Sequence, residues 1–384
     1  MKNARTRVLG PTCVLAGALL LTFPIASSAS ILTEIGTPDL EPYRILEDQQ
    51  PDTYWIVLRW GGLLCLTEDE NDNWSFVEHT IQPVFDATGP DGDGRLYLSF
   101  ADYGESGVYV FDCASKMIEH TIVLGTDYLM RGLALSTDET RLYVLGWDWP
   151  RVGEFGGPED IRHRDEGLVW EIDTSTYQVL RQGLVSSFPI TIFYTDSDTL
   201  LVYSGEKHHL FDIWPQSRAA MVDVLATEPN LTRMAQIQTI YSYYYGSYEH
   251  DFIDWSDEEP LVAMFASSLD WNQEENYEYM SAIWIINTET NEVVQTLKVF
   301  DERPVEVYVN HGVLSDVHPG CVYVTTHPGP LGEGVYAIDK DTGATINRIF
   351  TGYGVCPEFV YEIPDGRLIV TCPSNEKILI IEPE

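Results

Sequence analysis

The stretch LALSTDETRLYVLGWDWP, residues 133–150, sets two short apolar runs around the polar turn STDET and then ends on two tryptophans. Runs this short, rich in Leu, Val and Tyr and divided by turn residues, predict a β-hairpin rather than a helix. The same pattern recurs along the chain: PYRIL to WIVLR, PVFDATGPDGDGRLYLSF, PITIFYTDSDTLLVYS, HDFIDWSDEEPLVAMF, PVEVYVNHGVLSDVHPGCVYVTT and PEFVYEIPDGRLIVTC. With the first, that makes seven copies. Their second strands start at Trp55, Leu96, Leu142, Leu200, Leu261, Val322 and Leu368, at spacings of 41, 46, 58, 61, 61 and 46 residues.

Third strands follow as GLLCLT, GVYVFD, GLVWEID, HLFDI, AIWIIN, GVYAID and KILIIE, and several lead into a polar-alternating fourth, as in TSTYQVLRQ, TETNEVVQTL and KDTGATINRIF. Periods of this length suit a four-stranded blade, the longer ones carrying insertions. A lone blade leaves both faces exposed, and a closed ring of blades buries them. The pattern therefore predicts an all-β fold, a seven-bladed β-propeller of four-stranded antiparallel blades. The last copy ends after three strands, while ILTEIG stands alone near the other end of the chain. Ile31 to Gly36 is thus expected to be the missing outer strand of blade seven. Blades four and five are the least marked, and residues 213–250 are expected to hold blade four's outer strand with an inserted loop.

These residues carry a resemblance. YVTT at 323–326, STDETRLYV at 136–144, IPDGRLIVT at 363–371, EIDTSTYQVL at 171–180 and AIDKDTGATI at 337–346 resemble the repeat of the YVTN family of bacterial β-propellers. That likeness extends over nearly all of residues 31–384; blades one, four and five depart from its turn and tetrapeptide. It implies the fold and little about function, because propellers host binding proteins, lactonases, lyases and dehydrogenases alike.

Residues 1–30 read differently. A basic start (Lys2, Arg5, Arg7), the apolar run CVLAGALLLTF and the small residues of PIASSAS form a secretory signal peptide, too short in its apolar part for the ~20 residues that span a bilayer. Export to the periplasm or the medium is expected, with no membrane insertion after cleavage and residues 31–384 as one domain. Without the leader, 19 basic residues remain against 60 acidic ones, a net charge of −41. Nucleic acid and anionic membranes would be repelled, and a basic partner would be favoured. Five cysteines remain, Cys65, Cys113, Cys321, Cys356 and Cys372. The last two flank the final hairpin and are the disulfide candidate, with two buried thiols as the alternative.

In a propeller the connections into the inner strands share a face with the loops between second and third strands. Just before the seven inner strands stand Glu41, Gln82, Arg131, Phe188, His250, Arg303 and Cys356, a mostly polar ring. Long second-to-third insertions are expected in blades three, five and six, with Trp147, Trp149, Trp271 and Tyr277 among acids such as Asp148, Glu154, Asp270 and Glu274. Variable loops on a rigid scaffold are a common place for recognition, and aromatic anchors among acids suit a cationic or sugar-like partner. The expected function is a monomeric binding scaffold for a protein, peptide or glycan, with Trp147, Trp149, Arg131, His250, Trp271 and Arg303 as contacts and no cofactor.

The alternative is a channel-mouth enzyme of the lyase, lactonase or dehydrogenase type. There His250 would be the base, Glu41 or Asp254 would orient it or hold a divalent metal, and Arg131 or Arg303 would stabilise negative charge. A third reading is a structural spacer. No GxSxG, HExxH, CxxCH or phosphate-binding glycine loop occurs. His311, His318, Cys321 and His327 resemble a metal cluster in sequence, but a strand separates His318 from His327 by roughly 30 Å. Asp91 and Asp93 resemble the start of a calcium loop, yet Arg95 occupies the next ligand position, so a tight hairpin turn is expected.

Overall fold

In the computed structural model, described residues run from 30 to 383, excepting 60, 82–83, 103, 127, 149–166, 187–188, 196–197, 205–219, 240–251, 257–258, 271–277, 300–307, 328–333 and 353. The signal-peptide reading falls outside this set except for its last residue, Ser30, which starts the first strand. Strand β1 (Ser30–Gly36) precedes blade one, which comprises β2 (Pro42–Glu47), β3 (Thr53–Leu58), β4 (Leu63–Glu68) and β5 (Trp74–His79). Blade two is β6 (Val84–Thr88), β7 (Arg95–Asp102), β8 (Glu105–Asp112) and β9 (Met117–Gly125), and blade three is β10 (Tyr128–Leu135), β11 (Arg141–Asp148), β12 (Gly167–Asp173) and β13 (Val179–Val185). Blade four holds β14 (Pro189–Tyr194), β15 (Thr199–Ser204), β16 (Ala220–Ala226) and β17 (Thr232–Thr239). Blade five holds β18 (Phe252–Asp254), β19 (Leu261–Asp270), β20 (Glu278–Asn287) and β21 (Glu292–Val299). Blade six is β22 (Tyr308–Leu314), β23 (Cys321–His327), β24 (Gly334–Asp339) and β25 (Thr345–Phe350). Blade seven is β26 (Phe359–Glu362), β27 (Leu368–Cys372) and β28 (Lys377–Glu382), completed by β1.

Each sheet is antiparallel, and the seven of them form a seven-bladed β-propeller. The expected closure is present: β1 pairs with β28 from Ser30 opposite Glu382 to Gly36 opposite Lys377, and Lys377 reaches Glu34 at 2.7 Å. Two of the sequence expectations need correction. HLFDI lies outside the described residues, and the third strand of blade four is β16, within the segment expected to hold only an outer strand and a loop. Both stretches are apolar runs broken by a single aspartate, and only pairing with β15 distinguishes them. In blade five, Ser267 to Asp270 pair with Glu278 to Ser281, so hydrogen bonding extends the hairpin into what reads as loop and leaves 271–277 as the connection.

Among the described residues the buried apolar side chains divide into clusters between blades. Apolar residues of β3 divide by their alternation between two interfaces: Tyr54, Ile56 and Leu58 pack with Phe359 and Ile369 of blade seven, while Trp55 and Val57 pack with Val84, Leu96 and Phe111 of blade two. The same division around the ring gives seven clusters, one between each pair of neighbouring blades. Second strands are therefore buried on both faces, as in β3 and β27, whereas outer strands such as β9 are mostly exposed.

Polar residues finish the turns. At the third-to-fourth turn, Asp112, Asp173, Asn287 and Asp339 each accept a backbone N–H two or three residues on, and Lys116, Tyr177, Asn291 and Gly343 then take positive φ. Such short polar side chains replace the partners that a turning backbone loses. Asp91 acts similarly in the tight hairpin turn expected there: its Oδ1 accepts from the N–H groups of Asp93 and Arg95, and its Oδ2 accepts the Tyr97 hydroxyl at 2.7 Å.

Candidate functional site at the channel mouth

The two faces of the ring are built unequally. On one, every first-to-second and third-to-fourth connection has four to six residues. On the other, the connections into the inner strands and between second and third strands range from two residues, before β8, to 15 between β15 and β16 and 18 between β11 and β12. This second face is the mouth. Long connections occur in blades three and four, with 12 residues also preceding β18. The insertion in blade four is one the sequence pattern did not assign to a second-to-third connection.

Inner strands bulge near the mouth. Pairing with the second strand shifts register between Pro42 and Ile45, Val84 and Asp86, Met130 and Leu133, Pro189 and Thr191, and Val309 and Gly312. A bulge puts an extra residue into one strand and leaves backbone groups to be satisfied elsewhere, a device common near sites of function. Here the partners come from the neighbouring blade and, for the His311 N–H, from the second strand of its own blade. Asp86 accepts the Leu133 N–H at 3.2 Å, Thr325 accepts the His311 N–H at 3.1 Å and donates to the Glu358 carbonyl at 2.8 Å, and Thr371 donates to the Tyr43 carbonyl at 2.6 Å.

These bulges and strand starts bring charged and aromatic side chains together across blades six, seven, one and two. Arg44 pairs with Asp86 at 2.7 Å, and Arg59 pairs with Glu358 at 2.7 Å. The Arg44 guanidinium carbon lies 6.0 Å from the Phe359 ring centroid, and that of Arg59 lies 5.3 Å from Tyr43. Phe359 stacks on the buried His311 ring with centroids 3.6 Å apart. His311 Nδ1 accepts the Val360 N–H at 3.4 Å, so a neutral ring would hold its proton on Nε2. Asn310, also buried, donates to the Pro357 carbonyl at 3.1 Å. Buried carboxylates and flanking rings thus hold both guanidinium groups in place.

Of the residues nominated from sequence, Trp147 lies half-buried at the mouth end of β11, opposite Leu129, and Arg131 occupies the bulge of β10. Glu41 precedes β2 and its carbonyl accepts the Arg59 N–H at 2.8 Å, while Asp254 ends β18 with an exposed side chain. Glu41, Arg131 and Asp254 thus stand on blades one, three and five, which are not neighbours. Trp149, His250, Trp271 and Arg303 lie outside the described residues. None of the five cysteines from Cys65 onward forms a disulfide, Cys356 and Cys372 included, and burial pushes up the thiol of the deeply buried Cys372. His318 lies in the β22–β23 turn and His327 at the far end of β23, beside Tyr308. Among the described residues no group of three or more His, Cys, Asp or Glu converges in a way that could hold a metal ion.

Arg44, Asp86, Asn310 and Glu358 escaped the sequence reading, which looked at the residue before each inner strand, and His311 enters it only as part of a metal cluster. A signal existed. PYRIL and PVFDA each place a charge inside an apolar inner strand, where strict alternation would put a core residue.

No family model matches the chain, and no curated protein matches it. Solved structures do resemble it in fold. The WD40 domain of Neurospora crassa Pan2 has a TM-score of 0.59 at 10% identity, covering 92% of this chain and 94% of that one. Kuenenia stuttgartiensis hydrazine synthase gives 0.61 at 16% identity over 92% of this chain and 98% of that chain, and the WD40 β-propeller domain of Doa1 gives 0.57 at 12% identity over 93% and 98%.

Proposed function

We propose that the protein is an exported, monomeric binding scaffold of the YVTN-like kind, which holds a protein, peptide or glycan on its mouth face. The observation that carries this reading is the inequality of the two faces: uniform four-to-six-residue turns on one, connections of two to 18 residues on the other. Loops that vary over a rigid frame can acquire binding residues without disturbing the packing beneath them. Two of the structural neighbours are WD40 domains, so the reading is consistent with propellers that serve as interaction modules. Trp147 and Arg131, together with Trp149, His250, Trp271 and Arg303, are the proposed contacts. A net charge of −41 would steer a basic partner toward the protein and keep nucleic acid away.

Peptide and glycan arrays would test this with three proteins: the wild type, a variant in which residues 149–166 are replaced by a four-residue turn, and a variant with residues 136–140 of the opposite face exchanged for another blade's turn. Ligands retained by the wild type should be lost with the shortened connection and kept by the turn exchange. Retention by the shortened variant would overturn the assignment of the binding face.

A further inference from the structure

We infer that Cys65 and Cys113 are a peroxide-responsive pair: oxidation of Cys65 lets Cys113 close on it as a disulfide that staples blade one to blade two. The pair lies by the short turns rather than at the mouth, and is independent of what the mouth binds. Both residues are thiols in the structure, 3% and 8% exposed, and both belong to the apolar cluster between those blades, with Trp55 and Phe111. Cys65 lies on β4, the third strand of blade one, and Cys113 follows β8, the third strand of blade two. One turn brings them together. Cys113 opens the third-to-fourth turn of blade two and Lys116 closes it, with its N–H donating to the Asp112 carbonyl at 2.8 Å and its φ at +59°. From that turn the Lys116 ammonium reaches across to blade one and lies 3.9 Å from Cys65 Sγ.

Lys116 also makes Cys65 the sulfur that reacts first. The thiolate is the nucleophile, and a neighbouring cation favours it. Burial raises both thiols, Cys113 to about 12, whereas the Lys116 charge pulls Cys65 back down. The charge of Cys65 is among the causes that raise Cys113, as near neighbours require. Lys116 is an exposed residue, so the sulfur it touches lies just beneath the surface, within reach of a molecule as small as hydrogen peroxide. The Cys65 thiolate attacks one peroxide oxygen, the O–O bond breaks, and the departing hydroxide takes up a proton to become water. Cys113 then gives up its thiol proton and attacks the sulfenic sulfur of Cys65; the S–S bond forms as the S–O bond breaks, and the hydroxyl leaves with that proton as water. Two thiols are thus oxidised by two electrons while one peroxide is reduced to two waters. Closing the chain between the two blades restricts the unfolded ensemble more than the folded ring, and so raises stability.

The full protein, purified reduced, would be treated with hydrogen peroxide, alkylated and mapped by mass spectrometry. A peptide pair joining Cys65 to Cys113 should appear, with the loss of two of the five thiols from Cys65 onward. The melting temperature should rise by several degrees and return on adding dithiothreitol. Cys113→Ala should trap Cys65 as the sulfenic acid, read as a dimedone adduct, and Lys116→Gln should slow bridging a few-fold without changing the product. Should Cys113→Ala fail to fold, the rate in Lys116→Gln, at an exposed position, carries the same test. The proposal would be overturned by a bridge that forms only in urea, by capture of oxidised Cys65 on the Lys116 nitrogen instead, or by an unchanged bridging rate in Lys116→Gln. No bridge at all, or a bridged protein that melts no higher than the reduced one, would overturn it equally.

Discussion

At the scale of single residues, the repeated tetrapeptide has a mechanical role. In Tyr323-Val324-Thr325, the tyrosine hydroxyl meets His318 Nδ1 at 3.0 Å, the valine is fully buried in the cluster shared with blade five, and the threonine binds both its own bulge and the next blade. Thr371 repeats the threonine's task from blade seven to blade one. A buried hydroxyl replaced by a methyl group leaves its partners in a dry interface without replacement water, at a cost of about 1–3 kcal/mol for each unsatisfied group. Thr371→Val should lower unfolding free energy in urea by about that amount, and Thr325→Val by more, because it abandons both the His311 N–H and the Glu358 carbonyl. Near-identical midpoints for both variants and the wild type would remove these bonds from the list of stabilising contacts.

At the scale of the structural element, the turns carry the protein's sensitivity to acid. Hydrogen bonds from Ser175 and Thr176 hold the Asp173 carboxyl down to about 2 from the usual 3.8, and Ser115 and Thr342 depress Asp112 and Asp339 in the same way. A carboxylate whose folded pKa is lowered stabilises the fold above its unfolded value, and that contribution disappears as pH falls toward the folded one. Stability should therefore decline between about pH 4 and pH 2. The triple variant Asp112→Asn, Asp173→Asn, Asp339→Asn keeps an acceptor oxygen without a titrating group. Its urea midpoint should lie below that of the wild type at pH 6 and fall less steeply on acidification; parallel slopes would assign acid loss to other carboxylates.

For the whole molecule, the ring depends on the join between blades seven and one. Besides β1, this join holds the paired contacts of Arg367 with Glu68 at 2.5 and 2.7 Å, the Arg59–Glu358 bridge and the Tyr361 hydroxyl on Glu47. Deleting residues 31–36 would leave β28 as an unpaired edge, which other chains can pair with. Thermal melting of that variant should shift down by several degrees or more, about the scale of a 1–2 kcal/mol loss or greater, and size-exclusion chromatography should show association. An unchanged melt and a monomeric profile would show that the polar contacts alone close the ring.

The sequence by itself determined the number of blades, nearly every second strand and the strand that closes the ring. Each follows from local information: alternation sets which faces are apolar, turn residues set where strands stop, and the leftover ILTEIG reveals the gap it fills. Blade four shows the limit, since HLFDI and AMVDVLA carry the same local pattern and only pairing with β15 chooses the second. The site was still less legible. Glu41, Arg131 and Trp147 could be placed near the mouth by counting from strand starts, but the ion pairs of Arg44 and Arg59 join residues 42 and 299 positions apart. Bulges decide which side chains leave the core for the channel, and a bulge exists only in the pairing between strands. Tertiary structure alone decided that assembly, because the partners of a bulged backbone include side chains of a neighbouring blade.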